Sequence, residues 1–187
     1  MEKNDMEVLE KDVFKGGIKK GTIATDAAAA KLDKQCKNAR DLLSAELSII
    51  YGSLLQMKKS IPGTAKRVGC VPDGGLWYYK GRLIVAVEGK KQNKDGNAIE
   101  RWYKNLYICH SINPEISYLT FAIGHGACDT EAIGKTLDWA HPYGYNVPNT
   151  FGNSCYMKVE GFTDTEVYSI LRSTIVDTIA AIDGIHQ

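Results

Sequence analysis

Three residues in the stretch VPDGGLWYYKGRLIVAVEGKKQ, Val71 to Gln92, have side chains that can do chemistry together: Asp73, Glu88 and Lys90. The run LWYYKGRLIVAV between them reads as a β-hairpin. Its two-residue turn falls at Lys80-Gly81, where glycine tolerates a positive φ. Tyr79 then pairs with Arg82, and in that register Asp73 falls directly opposite Glu88, with Cβ atoms roughly 4.5–5.5 Å apart. Side chains alternate with period two, so Lys90 shares the face of Glu88. A four-residue loop about the same centre preserves this pairing, whereas a bulge would slip it. Facing carboxylates repel, and a divalent cation offsets the repulsion. Two carboxylates with positions left for water and phosphate oxygens suit Mg²⁺, which seldom sits in an all-protein cage. Lys90 would add a positive charge beside an attacking water or a phosphate. That set serves metal-assisted phosphodiester hydrolysis. Two solvated hairpin ends would give the same spacing, since Pro-Asp and Glu-x-Lys are short and common.

The elements that must position these residues follow from periodicity and punctuation. A chain of 187 residues, 44% hydrophobic and 24% charged, fits one globular domain with its own core. Residues 1–24 are polar, rich in lysine and glycine, and read as a mobile arm. A helix is expected over 25–60, with Leu43, Leu47, Ile50, Leu54 and Met57 as its buried stripe and Pro62-Gly63 as its stop. The hairpin follows, then a helix in DGNAIERWYKNLYICHS with a stripe of Ile99, Trp102, Tyr103 and Leu106. YLTFAIG, Tyr118 to Gly124, reads as a buried strand, and Gly126 to Asn153 as loop. The last helix, within 163–187, begins at a capping box of Thr163 and Glu166 and buries Val167, Ile170, Leu171, Ile175 and Ile179. The expected fold class is α/β: a small mixed central sheet flanked by helices, without internal repeats.

At its chemical residues the chain resembles the PD-(D/E)xK nucleases, with Pro72-Asp73 and Glu88-Gly89-Lys90 as the motif. PDGG, then EGKKQ, then GNAIER with Lys104-Asn105 behind it, is similar to the EcoRI-type restriction endonucleases in particular. YGYNVPNTFGNSCYMK, Tyr143 to Lys158, resembles a Tyr-Gly, Pro, Asn, Cys, Lys segment of the same enzymes, so the likeness runs from about Pro72 to Lys158, within an expected catalytic and DNA-recognition core at 71–158. The resemblance implies a restriction-endonuclease-like core and a Mg²⁺-dependent homodimer that cuts both strands of double-stranded DNA at a palindrome. It gives Asp73 and Glu88 the metal and Lys90 the nucleophilic water. It also places Asn97, Ala98, Glu100 and Arg101 in the major groove, reading adenine and thymine in a central AATT. Their chemistry fits: Asn97 both donates and accepts, Glu100 accepts, Arg101 donates, and Ala98 meets a thymine methyl. Asn97 and Glu100 also fit an N-terminal capping pair. Lys91, Lys94 and Lys104 are the expected phosphate contacts, or else solvated surface lysines.

Relatives that recognise six base pairs carry arginines ahead of the Tyr-Gly segment, but this chain has GKTLDWAHPYG there, with Lys135 and Trp139 and no arginine between Arg101 and Arg172. Lysine lacks the bidentate fork that reads guanine, so the expected site is centred on AATT with weak or different outer-pair preference. Cleavage ahead of AATT would leave four-nucleotide 5′ overhangs, and a cognate DNA methyltransferase is expected in the same host. Two other readings stand beside this one: a nuclease of repair or recombination that cuts by DNA shape, and a DNA-binding module without turnover. Cys109-His110 and the HGACD segment with His125 and Cys128 match no standard zinc spacing. Five scattered cysteines, no CxxC pair, a charged N-terminus and no long apolar run together suggest a reduced, cytoplasmic protein. The net charge of +1 neither announces nor excludes nucleic acid.

Overall fold

In the computed structural model, which describes residues 20–61, 69–91, 96–123, 154–158 and 161–184, the apolar pattern folds into helices packed on a single sheet. Helix α1 spans Lys20–Tyr51. It buries Leu32, Cys36, Ala39, Leu43 and Leu47, spaced three or four apart so that one stripe faces the sheet. Gly52, at φ 56°, turns the chain out of the helix into a 3₁₀ turn over Gly52–Leu54. Strand β1, Leu55–Lys58, follows at once. The expectation of helix over 25–60 is therefore corrected at both ends. Residues 20–24 are helical, and residues 55–58 pair as an edge strand with the hairpin. Leu54, in that turn, is 48% exposed, and Ile50, still within α1, is 58% exposed, so neither joins the core as expected.

The hairpin of β2, Leu76–Tyr79, and β3, Arg82–Lys91, forms as expected about Lys80 and Gly81, both at positive φ. Helix α2, Gly96–Ile112, then crosses over to β4, Ser117–Ile123, which lies parallel to β3. Strand β5, Ser154–Lys158, is parallel to β4, and the strands stand in the order β1-β2-β3-β4-β5. The sheet is thus mixed and the architecture α/β. Strand β5 was not anticipated: SCYMK is five residues beside a glycine-, proline- and asparagine-rich stretch, too short to stand out by pattern. Helix α3, Asp164–Ile182, opens on the capping box of Thr163 and Glu166 and buries Val167, Leu171, Ile175 and Ile179, with Ile170 half-buried.

Two cores lie on the two sides of the sheet. Helices α1 and α3 cover Trp77, Tyr79, Ile84, Val85, Val87, Leu119 and Phe121. The other side, with Leu76, Leu83, Ala86 and Tyr118, receives Leu106 and Cys109 from α2. Gln35 of α1 donates to Asp164 (2.8 Å), and Arg172 of α3 donates to Glu46 (2.9 Å), which fixes the two helices against each other. Among the described residues no helix is long and apolar enough to cross a membrane.

Candidate active site

The register of the hairpin decides where the acids go. Tyr79 pairs with Arg82 and Tyr78 with Leu83, as expected, but Trp77 then pairs with Val85 and Leu76 with Ala86. Ile84 is the extra residue. The bulge lets Ile84 and Val85, consecutive in sequence, enter the same core, an outcome that strict alternation forbids. Asp73 is therefore not the ladder partner of Glu88 by simple continuation of the hairpin. It lies beyond the start of β2 in the turn Pro72–Gly75, closed by the Gly75 N–H donating to the Pro72 carbonyl at 3.1 Å.

That turn is bound tightly to β3. The Gly74 N–H donates to the Val87 carbonyl (2.8 Å), and the Val87 N–H donates to the carbonyl of the next residue, Gly75 (3.1 Å). A Cβ on Gly74 would stand 2.6 Å from Val87 Cβ, and Gly75 sits at φ 85° against the Arg40 side chain, so both glycines of PDGG are required by the geometry. The Trp77 indole donates to the Gly74 carbonyl at 3.0 Å. Arg40, 7% exposed on α1, donates to the Asp73 carbonyl at 3.1 Å while its remaining fork nitrogens hold Asp41.

Held this way, the Asp73 carboxylate comes over Gly89, one residue past Glu88. A Cβ on Gly89 would lie 3.3 Å from Asp73 Oδ2, 3.4 Å from Cys36 Sγ and 3.5 Å from Asp33 Oδ1. The bare glycine is a cradle into which carboxylates of the turn and of α1 converge. Glu88, 6% exposed, is on the face of Ala86, where Asn105 of α2 donates to its Oε2 at 3.3 Å. The acids thus approach β3 from its two faces, at the stretch where β2 has ended and only β4 continues beside it among the described residues. Their charges overlap all the same. Burial first, then Asp73, Asp33 and Glu88, pushes the Cys36 thiol up, with Lys37 opposing. The fully buried Tyr118 hydroxyl is likewise pushed up by burial and then chiefly by Glu88. Among the described residues, Asn105 Oδ1 and the Tyr118 hydroxyl are buried polar atoms with no hydrogen-bond partner.

Asp33, Lys37 and Arg40 are residues that sequence reasoning missed, and Asn105 entered it only as part of the motif behind GNAIER, without a role. The signal was available in part, because Asp33, Lys37 and Arg40 recur at helical spacing on one flank of the α1 stripe. Lys37 Nζ lies 3.5 Å from Asp73 Oδ1. Of the expected residues, Lys90 is a β3 residue paired with Ala122, and Lys91 is paired with Ile123. Asn97, Ala98, Glu100 and Arg101 lie in the opening turns of α2. The side chains of these six, and Lys94 as a whole, lie outside the described residues, as do residues 1–19, His125, Cys128 and the segment through Asn153. Lys104 is turned inward, donating to the Gly69 carbonyl at 2.8 Å. Cys109 is buried with its sulfur 3.7 Å from that of Cys70, and burial holds the His110 imidazole below its usual range, so this pair belongs to the core.

Chemically, Asp73 and Asp33 offer hard oxygen donors around a space that a single methyl group would crowd, a donor type suited to Mg²⁺, while Glu88 presents its carboxylate on the other face of β3. Among the described residues, no three His, Cys, Asp or Glu side chains form a ready metal cage. An Mg²⁺ site does not need one, since one or two carboxylates with water and substrate phosphates complete its coordination. In comparisons with known proteins no family model matches the chain, and no curated protein or solved structure matches it.

Proposed function

We propose that the protein is a Mg²⁺-dependent endonuclease with a restriction-endonuclease-like core, acting as a homodimer on double-stranded DNA at a short palindrome containing AATT and leaving 5′ overhangs. The observation that carries this reading is the meeting of the Asp73 carboxylate with the Glu88-Gly89-Lys90 strand, from which the helix bearing GNAIER emerges four residues later. Asp73, beside Asp33 at the Gly89 cradle, would hold the metal, and Glu88, assigned as its partner ligand, stands on the opposite face of β3 and would have to turn past the edge that β2 leaves open to join it. Bound there, Mg²⁺ supplies charge neutralisation at the phosphate and an activated water.

The remaining work falls to the chain. Arg40 and Trp77 hold the Pro72–Gly75 turn, so Asp73 meets the substrate without rearrangement. Asn105 orients Glu88. Lys90 would assist the nucleophilic water. Asn97, Ala98, Glu100 and Arg101 read the base edges, and Lys91 and Lys94 contact phosphates. A palindrome requires two copies, each reading one half-site and cutting one strand.

The test is digestion of a long mapped DNA with Mg²⁺, sequencing every new end, with Asp73→Ala as the control. Ends clustered at AATT and absent from the control are expected. Ends at another palindrome would overturn the assignment of the reading residues, and cutting governed by branches or damage would favour a nuclease of repair. Sequence-specific binding with no Mg²⁺-dependent cutting would make the protein a DNA-binding module.

A further inference from the structure

The acidic cradle contains one cation that nothing in the proposed chemistry uses. Lys37 stands one helical turn beyond Asp33 on α1, and its ammonium lies 3.5 Å from Asp73 Oδ1. The other carboxylate oxygen of Asp73, Oδ2, is the one directed at Gly89. Among the described residues whose charges act on the neighbouring Cys36 thiol, Asp73, Asp33 and Glu88 push one way and Lys37 pushes back. Lys37 is therefore placed to balance the acids of the site. Its placement is loose: a charge-assisted hydrogen bond is shorter, about 2.7–2.9 Å, and the Lys37 side chain is 49% exposed against 22% for Asp73. Arg40, one turn on, differs in each respect, being buried with its fork committed to Asp41 and the Asp73 carbonyl. A lysine on a flexible four-carbon stem is a point charge that moves at little cost, whereas a planar fork is a fixed brace.

We propose that Lys37 is a displaceable counter-ion, which holds the Asp73 carboxylate while the site is free of metal and yields it to a divalent cation. This inference rests on the metal-dependent reading given above. Two consequences follow from competition for one carboxylate. Removing the ammonium takes a compensating charge from the Asp73 carboxylate in the metal-free protein, which lowers its melting temperature. It also removes a competitor, which tightens cation binding. A partly exposed ion pair of this kind limits the gain to about fivefold.

The experiment is calorimetric titration of the full chain with Mn²⁺, without DNA, for the wild type, Lys37→Met, Lys37→Gln, Lys37→Arg and Asp73→Asn, with a thermal melt of each. Lys37→Met is expected to bind Mn²⁺ roughly two- to fivefold more tightly and to melt lower without metal, with the loss restored by saturating Mn²⁺. Lys37→Arg keeps the charge and is expected to bind no more tightly than wild type. Lys37→Gln, another neutral variant, must repeat the Lys37→Met result. If neutral variants bind equally or more weakly while Asp73→Asn loses binding, Lys37 is not a competitor; the inference is overturned and the metal site stands. If Asp73→Asn leaves Mn²⁺ binding unchanged, the metal-dependent reading fails and this inference fails with it.

Discussion

A methyl group on Gly89 is the smallest change that tests the site. In Gly89→Ala the new Cβ would stand 3.3 Å from Asp73 Oδ2, 3.4 Å from Cys36 Sγ and 3.5 Å from Asp33 Oδ1. These contacts are tight but are not the 2.6 Å collision with Val87 that forbids a side chain at Gly74. Each neighbour gives way by a few tenths of an ångström, which places the overpacking cost at the low end of about 1–3 kcal/mol. Against this, alanine restricts the unfolded chain and returns about 0.4–1 kcal/mol where the backbone is compatible, as it is within the extended β3. The net change is within about 1 kcal/mol, or no more than about 4 °C in melting temperature for a chain of this length.

The effect on chemistry is far larger. Catalytic groups must be held within about 0.5 Å of the productive geometry, and a misplacement of about 1 Å costs on the order of a hundredfold. A methyl group that also fills the cradle is expected to lower the single-turnover rate by about tenfold to a hundredfold. Gly81→Ala is the control. Gly81 has φ 79° and open space around it at the far end of β3, so alanine there costs about 1–2 kcal/mol in strain with no contact to the acids. The assay is single-turnover cleavage of a duplex with one mapped site, beside thermal melts of both variants. If Gly89→Ala cleaves at the wild-type rate, or if both variants lose rate in proportion to stability, the cradle is not where the chemistry occurs.

Two further outcomes follow from the supports of the site and of the fold. Arg40→Met keeps the methylenes beneath Gly75 but leaves the Asp73 carbonyl without its donor, at a cost of about 1–3 kcal/mol; cleavage is expected to slow while DNA binding in Ca²⁺, measured by titration, stays within about twofold. Thr163→Ala removes the α3 cap, about 1 kcal/mol, lowering the melting temperature by about 2–4 °C. Thr163 also holds the Glu166 carboxyl below its ordinary range through its backbone N–H and hydroxyl, so that stability is present above the unfolded carboxyl pKa and is lost as pH falls through the folded one. Urea titrations from pH 7 to pH 3 should therefore give a shallower acid loss in Thr163→Ala than in wild type.

What the sequence revealed, and what it hid, divides along a physical line. Local rules were legible: the Lys80-Gly81 turn, the Thr163 capping box and the α3 stripe depend on neighbours within a few residues. The direct opposition of Asp73 and Glu88 failed because a single extra residue, Ile84, is set by which core each side chain enters, and alternation alone does not contain that choice. Helix α1 was read as a long apolar stripe, but its continuation past Tyr51 depended on whether Leu55–Lys58 had a strand to pair with. Asp33, Lys37 and Arg40 went unnoticed for a related reason. Their part is defined by what they meet more than thirty residues downstream, Gly89 for Asp33 and the Asp73 turn for Lys37 and Arg40, and their helical spacing marks a shared flank without saying what faces it.

The arrangement also bears on how reading and cutting would be linked. Glu88 lies on β3, the residues assigned to base reading lie in the first turns of α2, and four residues join the two. The connection does not depend on that short link alone. Asn105, about two turns into the same helix, donates to the Glu88 carboxylate, and Leu106 and Cys109 seat the helix in the core beneath Ala86 and Tyr118. A rotation or slide of α2 in the groove would therefore move the Asn105 amide relative to Glu88, without any separate signalling element. Since Glu88 is buried, its carboxylate has little water to substitute for that partner, and a small misalignment of the helix weakens its orientation. In the proposed function, a DNA sequence that α2 fits poorly is penalised twice, in binding and again at the carboxylate. Discrimination in cutting should accordingly exceed discrimination in binding, and an Asn105 variant with the helix otherwise intact is where the two would separate.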